Sequence, residues 1–173
     1  MLRTSNAFYA KAILSLRNGG RIGTAIIPII NPDNLRIEGW RSSSLHDQGE
    51  HILPTMEIRD IIPKGLVVND VDALTIPEDM VRLEPIIKIG FNLLGKRVVT
   101  TNKRRLGKVA DFSVNTEYYI QKIYVSQSLL KGLNATPLII DRSAIVEVTD
   151  KKIVIKEAAQ KARSGKTAPA QAA

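Results

Sequence analysis

The sequence predicts an all-β protein built from two tandem small domains. Three observations carry this: an aliphatic, β-branched composition, segments that alternate apolar and polar residues, and a weak internal repeat of 84 positions. The 173 residues suffice for one ordinary domain or two small ones. Apolar residues make up 44%, mostly Val, Ile, Leu and Ala, and aromatic residues only 5%, so the expected cores are aliphatic. Cysteine is absent, which removes disulfides, thiolate metal sites and thiol nucleophiles together.

Strand signals come in order along the chain. Val109–Val114 alternates as a half-buried strand does, and Ile120–Val125 reads as its partner across the turn cluster Asn115-Thr116-Glu117. Leu138-Ile139-Ile140 reads as a short buried strand. Ala144–Val148 and Ile153–Ile155 form a hairpin around Thr149-Asp150-Lys151-Lys152. The first half has the same texture, with turns at Asn18-Gly19-Gly20 and Asn31-Pro32-Asp33-Asn34.

The two halves align as copies. Arg21-Ile22-Gly23 lies 84 positions before Arg105-Leu106-Gly107, and the same offset matches Asn18 to Asn102, Leu14 to Val98, Trp40 to Tyr124 and Ser42 to Ser126. An offset of 83 matches Arg59 to Arg142 and Ile62 to Ile145. Leu66-Val67-Val68 then matches Ile153-Val154-Ile155 after a small insertion. A period this long is too large for a solenoid unit and suits two duplicated domains. The expected division is residues 8–74, a linker 75–93, residues 94–157 and a disordered basic tail 158–173. A short helix is expected over Ile76–Glu84, with Pro77 in its first turn and Pro85 ending it.

The stretch Leu94-Gly95-Lys96-Arg97-Val98-Val99, then Arg105-Leu106-Gly107-Lys108-Val109-Ala110-Asp111-Phe112, then Ile123-Tyr124-Val125, resembles the PRC-barrel family. That family includes the cytoplasmic domain of the photosynthetic reaction-centre H subunit and the C-terminal domain of the ribosome maturation factor RimM. The resemblance covers residues 94–157 directly and 11–72 through the repeat. It implies two small PRC-type β-barrels, modules that dock on partners and share no catalytic residues. Gly23 and Gly107 are the expected structural glycines, at a bulge or bend that a small barrel needs. Pro28, standing where Phe112 stands, implies an edge strand or a bulge. Trp40 and Tyr124 are expected in the core or at barrel closure.

Charge divides the chain. Residues 1–84 carry nine basic and eleven acidic residues, and the remainder sixteen and six, so the whole net charge of +8 comes from the second half. Lys103, Arg104, Arg105 and Lys108 form its densest cluster, on an expected turn, and Tyr118 and Tyr119 at the next hairpin are positioned by sequence to stack on bases. The expected function is a non-catalytic intracellular adaptor that docks on another protein or on a copy of itself. The alternative is an RNA- or ribosome-associated assembly factor.

Enzymatic readings fare worse. Gly90-Phe91-Asn92-Leu93-Leu94-Gly95-Lys96-Arg97 nearly matches a phosphate-binding loop, but Arg97 stands where Ser or Thr must hold magnesium. His46, Asp47, Glu50 and His51 gather potential metal ligands in what reads as a mobile polar loop, and Ser44, His46 and Asp47 are too close in sequence for a triad. No metal, cofactor or membrane partner is expected. The longest apolar run, Ala25–Ile30, is interrupted by Pro28, and no signal peptide is visible, so a cytoplasmic location is expected.

Overall fold

A computed structural model of the chain describes residues 1–126 and 136–157. The expected tail 158–173 lies outside the described residues. The protein is mostly β, with two sheets and one short α-helix.

The first sheet contains β2 (Lys11–Ser15), β3 (Arg21–Asn31), β4 (Arg36–Ser44), β5 (His51–Pro54), β6 (Asp60–Ile62) and β7 (Gly65–Val68), in the order β5-β4-β3-β2-β7-β6. The second contains β8 (Arg97–Thr100), β9 (Arg105–Val114), β10 (Ile120–Ser126), β11 (Leu138–Asp141), β12 (Ile145–Val148) and β13 (Lys152–Ile155), in the order β11-β10-β9-β8-β13-β12. A two-residue β1 (Arg3–Thr4) also pairs with β9. The two orders are the same, strand for strand. In each, the opening strand lies antiparallel to the next and parallel to the last strand of its sheet, β2 with β7 and β8 with β13.

Register corrects the sequence alignment at Leu14, Trp40, Ser42, Arg59 and Ile62, the last lying opposite Gly65 while Ile145 lies opposite Ile155. Ile13 faces Gly23 and Leu66 as Val98 faces Gly107 and Ile153, so Leu14 corresponds to Val99, not Val98. A Cβ on Gly23 would strike the Ser43 carbonyl and one on Gly107 the Ser126 carbonyl, so Ser43 corresponds to Ser126. Trp40 therefore matches Ile123, and both are fully buried, while Tyr124 is only half-buried opposite Ile139. The insertion also moves. The 3₁₀ turns Thr55–Glu57 and Arg142–Ala144 follow β5 and β11 in the same way, so Arg142 corresponds to Thr55 and not to Arg59. The extra residues of the second half thus precede β11. The Leu14 slip arises because the β2–β3 turn is one residue longer than the β8–β9 turn, and the Trp40 slip follows the extra residue at the Ala25–Ile27 bulge of β3.

The chain forms two compact units: Met1–Leu93 with Phe112–Gln121, and Leu94–Asp111 with the described part of Lys122–Ala173. In the first unit the core is built on Trp40, whose indole N–H donates to the Phe8 carbonyl at 2.8 Å and whose ring stacks on Phe8. Ile13, Ile22, Ile37, Ile52, Leu53 and Leu66 are fully buried with it. Pro28 lies in β3 directly opposite Trp40. It sits just beyond a register shift at Ala25–Ile27 and past Ala25, the last β3 residue paired with β2, so the strand there is paired with β4 and both the bulge and the local edge expected of a proline stand beside it.

The linker is ordered against this unit, but its helix is not where the sequence placed it. Pro77–Asp79 forms only a 3₁₀ turn, and the α-helix α1 runs Glu84–Ile89. Pro85 does not end a helix; it stands in the first turn of one, where its missing N–H costs nothing. Gly90, in the left-handed conformation, closes it. Arg41 donates to the Ile87 carbonyl at 3.1 Å, and Thr75 exchanges backbone hydrogen bonds with Ile52 on β5.

Phe112–Gln121, the tip of the β9–β10 hairpin, completes the first unit. Its turn meets the β3–β4 turn through a local two-fold relation. Ile37 N–H donates to the Tyr118 carbonyl and Ile120 N–H to the Leu35 carbonyl, each at 2.9 Å, around an antiparallel bridge between Arg36 and Tyr119. Leu35 and Tyr118 are corresponding residues and both adopt positive φ, 53° and 67°.

In the second unit Val98, Leu106, Val109, Ile123, Val125, Ile140, Ile153 and Ile155 are buried, an aliphatic core without a tryptophan.

Candidate functional site

The β8–β9 turn is fixed from beneath by Thr100, which is buried. Its N–H donates to the Arg104 carbonyl at 2.9 Å, its carbonyl accepts from Lys103 N–H at 2.9 Å, and its hydroxyl accepts from Arg104 N–H at 3.2 Å. The side chains of Lys103, Arg104, Arg105 and Lys108 are all exposed. Lys103 takes positive φ, 64°, a conformation that disfavours a side chain with a Cβ. The corresponding turn in the first sheet places Gly19 there at φ 65°, with Ser15 making the same two backbone bonds while its hydroxyl accepts from Asn18 N–H.

The sheet register adds two residues that sequence reading missed. Lys108 lies directly opposite Arg97 on β8, and Arg97 lies directly opposite Lys152 on β13. Three exposed cations therefore form one row across three strands. Directly opposite residues share a face of the sheet. One row along, Arg105 faces Val99, which faces Val154, which faces Glu147 on edge strand β12. Arg105 joins the three on that face, and the single carboxylate of its row is three strands away. Among the described residues none of these cations forms an ion pair, and the segments 127–135 and 158–173 contain no Asp or Glu. The signal for Arg97 and Lys152 was a charged residue opening each of two apolar strands. Their juxtaposition depends on a parallel pairing between strands 55 residues apart, which spacing does not reveal.

The other candidates fall elsewhere. Tyr118 and Tyr119 belong to the first unit and are half-buried: Tyr118 sets its ring edge against Trp40, and Arg36 lies over the Tyr119 ring at 5.7 Å. Each ring thus has a structural contact within the first unit. Burial raises the Tyr118 phenol, with the positive charges of Arg3 and Arg36 acting against it.

Gly107 has φ 145°, and a Cβ added there would collide with the Ser126 carbonyl oxygen, so both its backbone and its space demand glycine. The loop that nearly matches a phosphate-binding motif runs from α1 into strand β8, not from a strand into a helix. Its Lys96 donates to the Asp150 carbonyl. The loop read as mobile is held at both ends: Ser42–Ser44 finish β4, and His51 is buried in β5 with Nε2 3.0 Å from the Asp47 carboxylate. Glu50 pairs with Arg41. Among the described residues no three His, Asp or Glu side chains are grouped to hold a metal ion, and no helix is long and apolar enough to cross a membrane. No family model matches the chain, and no curated protein matches it.

Proposed function

We propose that the protein is a non-catalytic docking protein made of two PRC-type barrels, and that it captures a partner through the basic face of its second sheet. Resemblance to the PRC-barrel family supports the barrel reading. Each sheet has a bulge in its opening hairpin, at Ile13–Leu14 and at Val98–Val99, of the kind a small barrel requires. The observation that carries the docking reading is the set of exposed cations, free of ion pairs among the described residues, at and beside the β8–β9 turn. A turn of this kind projects its charges past the sheet, where their field reaches an incoming anionic surface.

The test is affinity capture from cells with the wild-type protein and with the triple variant Lys103→Glu, Arg104→Glu, Lys108→Glu. The variant keeps its circular-dichroism spectrum and loses the partners that the wild type retains, most clearly at low salt. A folded variant that captures the same partners at the same salt overturns the reading. A second reading, a nucleic-acid-associated factor, is favoured by the row of like charges across β9, β8 and β13.

A further inference from the structure

We infer that the face formed by Arg97, Arg105, Lys108 and Lys152 is a binding site for the phosphate backbone of a single-stranded nucleic acid, an inference that rests on the docking reading and names its partner. Two features of this face work against the stability of the fold. Like charges directly opposite on neighbouring strands repel, and here three stand in one row, Lys108 to Arg97 to Lys152. The corresponding row of the first sheet is Thr24, Ala12 and Gly65, so the strand order does not require cations at these places. At the adjoining turn Lys103 holds the left-handed conformation that Gly19 holds in the first sheet. A lysine where glycine fits better, beside a row of unpaired cations, is what binding to a polyanion would maintain.

The geometry favours phosphates over an acidic protein. Neighbouring strands lie about 4.8 Å apart, so the row spans roughly 10 Å, and the long Lys and Arg side chains can each reach a separate phosphate along a strand. The row contains no aromatic side chain, so recognition would be by charge and would not depend on base sequence. The chain also continues from β13, the strand that carries Lys152, into a segment with Lys156, Lys161, Arg163 and Lys166 and only Glu157 against them.

The experiment is fluorescence anisotropy of the full chain with labelled oligouridine and labelled oligothymidine over a salt series, with polyglutamate as a competitor. The wild type binds both oligonucleotides, and log K falls linearly with log salt. The variant Arg97→Gln, Lys108→Gln, Lys152→Gln folds, binds at least about tenfold more weakly and loses roughly 0.7 from the slope for each cation removed. Oligouridine bound without oligothymidine identifies RNA as the ligand through contacts beyond phosphate, and overturns the backbone assignment. No binding of either oligonucleotide, or an unchanged slope in the triple variant, also overturns it. Capture of nuclease-resistant partners that the Lys103→Glu, Arg104→Glu, Lys108→Glu variant loses, without oligonucleotide binding, rejects the nucleic-acid inference and leaves the docking reading standing. Capture insensitive to that variant rejects both.

Discussion

Corresponding places in the two sheets carry opposite chemistry. Where the first has Thr24, Ala12 and Gly65 side by side, the second has Lys108, Arg97 and Lys152. Three arginines of the first unit are paired: Arg17 with Asp70 at 3.1 Å, Arg36 with Glu38 at 2.6 Å, and Arg41 with Glu50. Even Arg21, the counterpart of Arg105, donates to the Gly23 carbonyl at 3.1 Å. The cores differ in the other direction. The first is built around Trp40 and Phe8, and the second, with Ile123 at the matching place, is aliphatic. One strand order has thus been given a heavier core in one copy and a bare cationic face in the other. Strand order alone decides neither.

The comparison can be broken at its core first. Trp40→Ala should cost about 3–5 kcal/mol, since it empties the largest buried volume and leaves the Phe8 carbonyl without its indole donor. Ile123→Ala, at the matching place, should cost about 2–4 kcal/mol. Chemical denaturation checks both, and equal losses would show that the tryptophan adds nothing over an aliphatic side chain. Gly107→Val should cost about 3 kcal/mol, because strain at φ 145° adds to collision with the Ser126 carbonyl. A melting curve like the wild type's would mean β9 can shift away from β10 without loss.

A third test uses pH. Burial pushes the Tyr9 phenol up to about 12, beside Phe112. The folded-state value lies above the unfolded one, so the contribution is fully present below about pH 10 and is lost as pH rises toward 12. The slope should be under about 1.4 kcal/mol per pH unit. Denaturation of Tyr9→Phe between those limits should show a shallower decline than the wild type; parallel declines would place the titration elsewhere.

The smallest effects sharpen the contrast most. Lys103→Gly should stabilise by roughly 1 kcal/mol, since glycine removes left-handed strain. Arg97→Ala with Lys108→Thr, which installs the first sheet's residues, should leave stability within about 0.5 kcal/mol or raise it, with any gain fading at high salt. Thermal melts in low and high salt measure both. A loss of stability in either variant would assign these side chains a structural purpose.

How far the sequence could be read follows from where periodicity is informative. Alternation located β9 and β10, and the matches of Leu66-Val67-Val68 to Ile153-Val154-Ile155 and of Gly23 to Gly107 agree with the register. Matches that crossed a bulge slipped by one, as Trp40 did, because an extra residue leaves no compositional mark. The helix was misplaced because Pro85 ends a helix and begins one with equal ease. Lys103, Arg104, Arg105 and Lys108 were legible as a local cluster. Arg97 and Lys152 were not, because they meet only through a parallel pairing of distant strands. The ring contacts of Tyr118 and Tyr119 were not legible either, because their partners, Trp40 and Arg36, lie about eighty residues earlier.

The central claim is that the cationic face of the second sheet, and not the net charge of the chain, governs binding. It is tested most directly by quantitative capture at one low salt concentration with two matched variants. One carries Arg97→Gln, Arg105→Gln, Lys108→Gln and Lys152→Gln; the other carries Arg17→Gln, Arg21→Gln, Arg41→Gln and Arg59→Gln. Both lose the same net charge. Loss of the bound partner in the first variant alone is the predicted result, and equal loss in both would show that net charge, not this face, governs binding.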